Sequence, residues 1–359
     1  MDKYLLAFSQ LKGIGPVTLR KTLKLCSSTE EAYNAPLSFW EQQNLSPKLA
    51  QILVSVRQIK LDQLQQELLD NDIKVVSETD SDYPKNFNNL NSAPVVLYYR
   101  GNLNILNNKT LGVVGSRKIS TYAKQIMPEL LKPLTGLNLT IASGLAYGVD
   151  KLAHQIALDI SLPTVGVLGS GLSWKVFYPQ DNKKIAEQIL DTGGLIISEM
   201  PPNYEAMPFD FPRRNRLIAC LSDVVLVVEA ADKSGALITG RLAAEQGKDV
   251  LVVPQNINAP NSGGSNRLLQ NGAIVALNSQ DISEALGFNA KQTANIKIEL
   301  PNLTNLELQI YNLLSTEPTS LDKLIEENNF EQSAIGGVLI NLELKNLIKN
   351  IGGQNYIRN

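Results

Sequence analysis

Four short turns rich in glycine and serine follow apolar, strand-like runs in the middle of the chain. They are Gly115-Ser116-Arg117, Ser143-Gly144, Gly169-Ser170-Gly171 and a segment containing Ser234, Gly235 and Thr239. Such a turn presents unpaired backbone N–H groups at the start of a helix, where the helix dipole favours negative charge. Glycine and serine are also ordinary capping residues, so one turn alone would be weak evidence. Several turns in one sheet predict a site that binds phosphate groups.

A basic segment strengthens the prediction of an anion site. The segment Phe211-Pro212-Arg213-Arg214-Asn215-Arg216 stands just before the apolar run Leu217–Leu221, and Arg117 lies on the first turn. Cations at the start of a helix oppose its dipole, and guanidinium groups pair with phosphate through two hydrogen bonds. We therefore expect these arginines to face a bound anion rather than acidic neighbours within the protein. Lys175, after the third turn, is a further candidate.

The size of the expected contacts favours a polymer over a small ligand. One helix terminus contributes roughly 0.3–1 kcal/mol to anion binding, whereas a Kd near 1 mM already requires about 4 kcal/mol. A nucleic-acid strand that crosses several turns, with bases stacked on aromatic side chains at about 1–3 kcal/mol each, would bind tightly. The aromatic candidates, some of which we expect to be core residues, are Tyr147, Trp174, Phe177, Tyr178, Phe209 and Phe211.

The patterns that mark cofactor and metal sites are incomplete. Trp174 takes the place of the third glycine in a GxGxxG pattern, which disfavours NAD and FAD. The segment from Gly235 has the glycine spacing of a P-loop, but Arg241 stands where that loop requires lysine. His154 is the only histidine, so we expect no zinc site. We therefore predict no cofactor and no metal.

Strand-like apolar runs alternate with helical segments from Lys109 to Leu277, which indicates a parallel sheet covered on both faces. The predicted fold class is α/β, with an extended Rossmann-like parallel sheet as its core. A helical domain of the SAM or helix-hairpin-helix type precedes it, and a winged-helix-like domain follows it. The predicted limits are 1–70 for the helical domain, 71–287 for the Rossmann-like domain, 288–303 for a linker and 304–359 for the winged-helix-like domain.

Bulk properties narrow the class of protein. The 359 residues carry a formal net charge of −2, so any anion site must be local rather than part of a generally basic surface. The two cysteines do not form a CxxC pair, which is typical of free thiols in a reducing compartment. We recognise no signal peptide and no apolar run of about 18 residues that could span a membrane. The protein is therefore predicted to be cytoplasmic, without a membrane partner.

The two flanking domains differ in their expected relation to DNA. The segment Leu11-Lys12-Gly13-Ile14-Gly15-Pro16 resembles a helix-hairpin-helix turn, whose backbone N–H groups bind a DNA phosphate, although a plain helical-bundle turn fits equally well. In residues 304–359, seven acidic residues face four basic ones, and the expected recognition helix begins near Glu331 without arginine. A domain that reads the DNA major groove would carry lysine or arginine on its recognition helix. We expect this domain to contact protein or to be dispensable for DNA binding.

Seven strings of the sequence, taken together and in order, resemble the DprA/Smf family of bacterial DNA-processing proteins. They are VVGSRKIS (113–120), SGLAYGVDKLAH (143–154), GVLGSGL (166–172), SEMPP (198–202), FPRRNRLIA (211–219), VVEAADKSGALITG (227–240) and GGSNRLLQNGA (263–273). The sequence departs from the family pattern at Tyr147, where arginine is usual, and at Gln255-Asn256 and Gly240. Tyr147 removes a cation and offers a stacking surface instead.

The resemblance implies a function without catalysis. Members of the family bind single-stranded DNA, protect it and load the RecA recombinase onto it during natural transformation, and they work as homodimers through the Rossmann-like domain. Matched by motif, the residues expected to line the DNA pocket are Arg117, Phe211, Arg214, Asn215 and Arg216, with the turns at Gly144 and Gly169–Gly171.

Two other functions stay open on the sequence. The first is a nucleotide-processing hydrolase, because phosphoribohydrolases of related Rossmann-like families cleave nucleotides in a similar pocket. Their typical PGGxGT string is absent here. The second is a scaffold that binds recombinase while the pocket is vestigial.

Overall fold

The computed structural model describes residues 2–288, 303–315, 318–328, 332–345 and 347–358. The chain divides into two compact units, Met1–Ile296 and Lys297–Asn359. The predicted linker, 288–303, falls almost entirely outside the described residues. Within the described ranges, no helix combines the length and the apolar character needed to cross a membrane.

Short helices fill the first part of the chain, as the sequence predicts. The described residues there form α1 (Lys3–Phe8), α2 (Pro16–Leu23), α3 (Thr29–Asn34), α4 (Leu37–Gln42), α5 (Pro47–Val54) and α6 (Leu61–Asp70). The predicted turn at Gly13 joins α1 to α2, and Gly13 has a φ of 86°, which glycine adopts without strain. Arg20, on α2 beside this turn, pairs with Glu78.

The apolar spacing of residues 51–69 predicts one continuous amphipathic helix, and this prediction is wrong. The chain leaves the α-helical path after Val54, forms a 3-10 turn at Ser55–Gln58, and begins α6 only at Leu61. The Ser55 hydroxyl donates to the Ile52 carbonyl at 2.6 Å. Such local hydrogen bonds compete with the helical ladder. The break also places Val56 in the core, fully buried.

The N-terminal helices share a hydrophobic core with the sheet that follows. Leu5, Phe8 and Leu53 from the helices belong to the same buried cluster as Tyr98 and Ile196 from the sheet. The helices therefore pack against one face of the sheet. One hydrophobic core continues across the predicted domain limit at residue 70.

A nine-stranded sheet forms the centre of the N-terminal unit in the described residues. Its strands are β1 (Lys74–Ser77), β2 (Val96–Gly101), β3 (Lys109–Val114), β4 (Leu139–Ser143), β5 (Thr164–Leu168), β6 (Leu195–Ser198), β7 (Val224–Val227), β8 (Asp249–Val252) and β9 (Ile274–Val275). Their order is β1-β2-β6-β5-β4-β3-β7-β8-β9, antiparallel at β1-β2-β6 and parallel elsewhere. The predicted Rossmann-like parallel core is confirmed. The antiparallel strand β1 has no counterpart in the prediction.

Helices on both faces connect the parallel strands. They are α7 (Thr121–Leu131), α8 (Val149–Asp159), α9 (Lys183–Asp191), α10 (Asp210–Leu221), α11 (Gly235–Glu245), α12 (Gly263–Gln270) and α13 (Ser279–Ala285). From β3 the chain builds the sheet in one direction as far as β6 and then returns to place β7 on the other side of β3. In open α/β sheets, this change of direction leaves a crevice at the carboxyl ends of the two strands.

The C-terminal unit has the winged-helix order that the sequence predicts. Its described elements are α14 (Asn305–Leu313), β10 (Thr319–Ser320), α15 (Leu321–Asn328), α16 (Gln332–Leu344), β11 (Ile348–Gly352) and β12 (Asn355–Arg358). The hairpin turn lies at Gly353-Gln354, and a bulge shifts the pairing register between Asn350 and Gly352.

Candidate nucleic-acid interface

A cleft of about 460 Å³ lies at the carboxyl ends of β3 and β7. Eight of the predicted site residues line it: Gly115, Arg117, Phe211, Arg214, Asn215, Ser234, Gly235 and Thr239. A smaller recess is lined by Gly144 and Gly169 and shares Arg117 and Phe211 with the cleft. The sheet topology thus brings together turns that are far apart in the sequence.

Arg117 and two aromatic rings form one wall of the cleft. The guanidinium carbon of Arg117 lies 4.9 Å from the ring centroid of Phe211. The ring centroids of Phe211 and Tyr178 are 5.4 Å apart, and Tyr178 is 45% exposed. A stacked guanidinium keeps its N–H groups available for phosphate, while exposed rings offer faces on which bases stack. This wall can therefore contact both the backbone and the bases of a nucleic-acid strand.

Arg214 lies beneath the surface and is only 4% exposed. It donates hydrogen bonds to the carbonyl oxygens of Gly144, at 2.6 Å, and of Val167. The Asp150 carboxylate accepts the N–H of Gly144 at 3.1 Å. A Cβ atom on Gly144 would lie 2.5 Å from Nη2 of Arg214 and 2.6 Å from Oδ2 of Asp150. Glycine is thus required here by the packing of the protein itself, and Arg214 shapes the turn from inside.

Burial dominates the titration of the groups around this turn. It lowers the pKa of Arg214 to about 10, although the Asp150 carboxylate acts in the opposite direction. Burial also raises the pKa of Asp150, and Arg214 opposes that shift. The pKa of His154 falls to about 3 because its ring is buried in α8, where Nδ1 lies 2.7 Å from the Thr164 hydroxyl. Arg214 therefore stays protonated at neutral pH, and His154 stays neutral.

The expectation that the whole arginine cluster faces a bound anion is wrong for Arg213 and Arg216. Both pair with the Glu199 carboxylate, with Arg213 Nε at 3.2 Å. The physical reason is that α10 begins at Asp210 rather than at Leu217. Residues three apart share one helix face, so Arg213 and Arg216 reach the same buried carboxylate.

Three other predicted residues are engaged within the fold. The Ser143 hydroxyl is buried and donates to the Val113 carbonyl at 2.6 Å. The Ser170 hydroxyl is also buried and donates to the carbonyl of Gly171 at 3.1 Å. A Cβ atom on Gly171 would lie 2.2 Å from the carbonyl oxygen of Pro201. The structure thus does not bring these residues into the cleft as donors.

Ser116 and Lys175 take different places. Ser116 adjoins Arg117, and its hydroxyl donates to the Lys118 carbonyl at 2.9 Å, which orders the turn after β3. Lys175 is exposed in a separate groove beside α6, with Glu67 and Asn203 among its neighbours. The predicted cluster of site residues therefore does not include Lys175.

The start of α11 forms the opposite side of the cleft. Ser234 caps this helix, its hydroxyl accepting the N–H of Ala236 at 3.3 Å. The Asn215 amide donates to the Gly235 carbonyl at 3.0 Å and so ties α10 to α11. The Thr239 hydroxyl is buried in the lining of the cleft and has no hydrogen-bond partner among the described residues. Buried polar groups are normally satisfied, so this hydroxyl fits a ligand contact.

The aromatic candidates divide between core and surface. Phe177 is buried in the core, and Trp174 is half-buried, with the Arg100 guanidinium 4.4 Å from its ring centroid. Phe209 is 64% exposed in the segment that leads into α10. Tyr147 is also exposed, and its hydroxyl donates to Asp181 at 3.1 Å. Tyr147 and Tyr178 both line the smaller recess, whereas Phe209 lines neither the recess nor the cleft.

Sequence reasoning missed one buried carboxylate at this edge of the sheet. Glu229 stands two residues after the end of β7, and its side chain is fully buried. The available signal was an acidic residue directly after an apolar strand, at the carboxyl end where ligands bind.

Comparison with known proteins agrees with this architecture. Residues 74–287 match the family described as DNA recombination-mediator protein A, and residues 299–354 match the DprA winged helix domain. Protein Smf of Synechocystis is 31% identical over an alignment of 393 residues, which covers 99% of this chain and 98% of that protein.

Solved structures give the same result. The X-ray structure of DNA processing protein A from Streptococcus pneumoniae matches with a TM-score of 0.67 and 31% identity, covering 79% of this chain and 98% of that one. DNA processing protein A from Helicobacter pylori, whose structure concerns a single-stranded DNA binding mode, matches with a TM-score of 0.53 and 32% identity over 60% of this chain and 95% of that one. Because the family match spans most of the Rossmann-like core and one relative aligns along nearly the whole length, the chain belongs to the DprA/Smf family of DNA recombination mediators.

Proposed function

We propose that this protein binds single-stranded DNA in the cleft between β3 and β7, protects it, and loads a RecA-type recombinase onto it during natural transformation. The observation that carries the proposal is the wall of Arg117, Phe211 and Tyr178. It combines an exposed cation with accessible ring faces. Family membership and the single-stranded DNA binding mode of the Helicobacter pylori relative support the same ligand.

The wall favours a single strand over a duplex. Base faces are stacked on one another inside a duplex, whereas a single strand can place them on exposed aromatic side chains. The exposed rings of Tyr178 and Tyr147, which both line the recess beside the cleft, offer two such faces. The hydrogen-bond donors around the cleft that contains Arg117 are too few to read a base sequence, so we expect this cleft itself to add little sequence preference.

A binding titration at two salt concentrations tests this function. We expect a single strand of about 12 nucleotides to bind at least about tenfold more tightly than the matching duplex. We also expect affinity to fall as salt rises, because binding releases condensed counterions. Equal affinity for the two forms would contradict the proposal. Release of free base from nucleoside monophosphates would favour a nucleotide hydrolase instead.

We also propose that the protein acts as a homodimer through the Rossmann-like domain. The support is the edge strand β9, where Ile274 and Val275 are 42% and 43% exposed, followed by Leu277 at 67%. An exposed apolar edge strand is a ready template for pairing with a second chain. A second copy of the same edge would cover these side chains.

Removal of residues 304–359 is expected to leave DNA binding nearly unchanged, because seven acidic residues there face four basic ones. Phosphate binding depends on local cations, and an acidic domain contributes little to it. We expect the affinity of a chain ending at Leu303 for a single strand to stay within about twofold of the full chain at the same salt. A loss of about tenfold or more would show that this domain takes part in DNA binding.

A further inference from the structure

A second cleft, of about 520 Å³, lies at the same edge of the sheet, between the turn after β3 and the segment after β8. We call it the Glu229 cleft. Its lining residues are Ser120, Tyr122, Glu229, Pro254, Gln255, Asn256, Ala259, Pro260 and Asn261. They include three carboxamides and one carboxylate, but no lysine or arginine. The Glu229 cleft is therefore unsuited to phosphate, in contrast to the cleft that contains Arg117.

Glu229 has an incomplete set of hydrogen bonds. Its Oε1 atom accepts the N–H of Ser120 at 2.9 Å. Its Oε2 atom is buried and has no hydrogen-bond partner in the described part of the chain. None of the ion pairs formed by the described residues includes Glu229. A buried carboxylate oxygen without a partner is costly, so a ligand that donates an N–H group to Oε2 would stabilise it.

The other lining groups indicate what kind of donor fits. The ring of Tyr122 is 44% exposed, and Pro254 and Pro260 add apolar surface. A volume of about 520 Å³ is that of a small-molecule site. Among the described residues, no group of three His, Cys, Asp or Glu side chains could hold a metal ion. An aromatic and apolar lining with one carboxylate acceptor suits a nucleobase that carries an amino group. Carboxylates accept hydrogen bonds from the amino group of cytosine.

We propose that the Glu229 cleft receives a base with an amino group, from a nucleotide beside those held at Arg117. This inference rests on the proposed binding of single-stranded DNA. One short segment joins the two clefts, because Arg117 lines the first and Ser120 lines the second. Three residues span at most about 11 Å, so a single strand reaches both. Thymine has no amino group, and strands rich in cytosine are therefore bound more tightly than oligothymidylate.

The test compares two single strands of about 12 nucleotides, one of dT alone and one of alternating dC and dT. We expect the wild-type protein to bind the dC-containing strand at least about tenfold more tightly, the effect of one hydrogen bond to a charged acceptor. In Glu229→Gln, the preference disappears or reverses, because the amide can still accept from Ser120 N–H while presenting a donor to the base. Affinity for oligothymidylate stays unchanged in this variant. Glu245→Gln, which changes an exposed carboxylate on α11, keeps the wild-type preference.

Each remaining outcome decides the question. Equal binding of both strands by the wild-type protein, or a preference that persists in Glu229→Gln, overturns the inference and leaves the proposed function intact. Binding of neither strand means that the proposed function itself fails. Binding of MgCl₂ alone that is lost in Glu229→Gln overturns it in favour of a cation site. If Glu229→Gln does not fold, Tyr122→Ala removes only an exposed ring, and an unchanged preference there overturns the inference as well.

Discussion

Replacing Arg117 by alanine is expected to weaken single-stranded DNA binding at least about tenfold while leaving the fold unchanged. Arg117 is exposed, and its guanidinium stacks on Phe211 with its N–H groups available for phosphate. A charge-assisted hydrogen bond of this kind contributes about 1.5–3 kcal/mol, and each 1.4 kcal/mol is about a tenfold change in affinity. Loss of one phosphate contact also lowers the slope of log affinity against log salt by about 0.7. Fluorescence anisotropy at several salt concentrations measures both quantities.

Arg241→Ala is the matched control for this variant. Arg241 is an exposed arginine on α11, and it does not line the cleft. We expect its removal to change affinity by less than about twofold, as the loss of a remote surface charge should. If Arg117→Ala binds as tightly as the wild-type protein, with an unchanged salt slope, the wall of Arg117, Phe211 and Tyr178 is not the DNA-binding surface.

Replacing Arg214 by alanine is expected to act on stability first and on DNA binding only as a consequence. Arg214 is buried, holds the carbonyls of Gly144 and Val167, and lies beside the Asp150 carboxylate. Removing one partner of such a buried charged set leaves the other polar groups unsatisfied, at a cost of about 3–5 kcal/mol. We expect the midpoint of thermal unfolding to fall by on the order of 10 °C. Calorimetry or circular dichroism measures this shift without DNA.

Arg213→Ala is the control that separates the effect of losing a charge from the effect of losing a buried side chain. Arg213 carries the same charge on the same helix, but its side chain is 40% exposed, and Glu199 keeps Arg216 as a partner. Partly exposed ion pairs contribute about 0–1 kcal/mol, so we expect little change in unfolding. Arg214→Lys should fall between the two, because a lysine cannot reproduce the fork of a guanidinium. An Arg214→Ala variant that unfolds like the wild-type protein yet fails to bind DNA would show that Arg214 contacts DNA directly.

The elements of the core could be predicted because their signals are local. Runs of valine and leucine such as Val224–Val228 stand between helical segments, and the structure has β7 at Val224–Val227. The turns at Gly115 and Gly235 follow such strands, and parallel topology alone brings them to one edge. The cleft could thus be located from the sequence before any side chain was placed.

The direction of each arginine side chain could not be predicted in the same way. Successive helical residues point about 100° apart, and α10 begins at Asp210, so the helix gives each arginine before Leu217 its own direction. Arg213, Arg214 and Arg216 are the same residue type, so the sequence does not distinguish their roles. Only the tertiary structure shows that Arg214 holds the Gly144 turn and that the other two share Glu199. The sequence also cannot show that the Glu229 carboxylate is buried, or that one of its oxygens lacks a hydrogen-bond partner in the described residues. Both properties depend on the residues that pack around Glu229.

The packing of Arg214 and Asp150 around Gly144 affects how relatives of this chain are recognised. Gly144 and Asp150 of the string SGLAYGVD meet Arg214 of the string FPRRNR here, and these contacts pack the turn whether or not DNA is bound. A descendant that had lost its ligand would still keep them in order to fold. Those strings therefore diagnose ancestry, while the residues facing solvent at Arg117 and Tyr178 are the ones that would drift once the activity was no longer under selection.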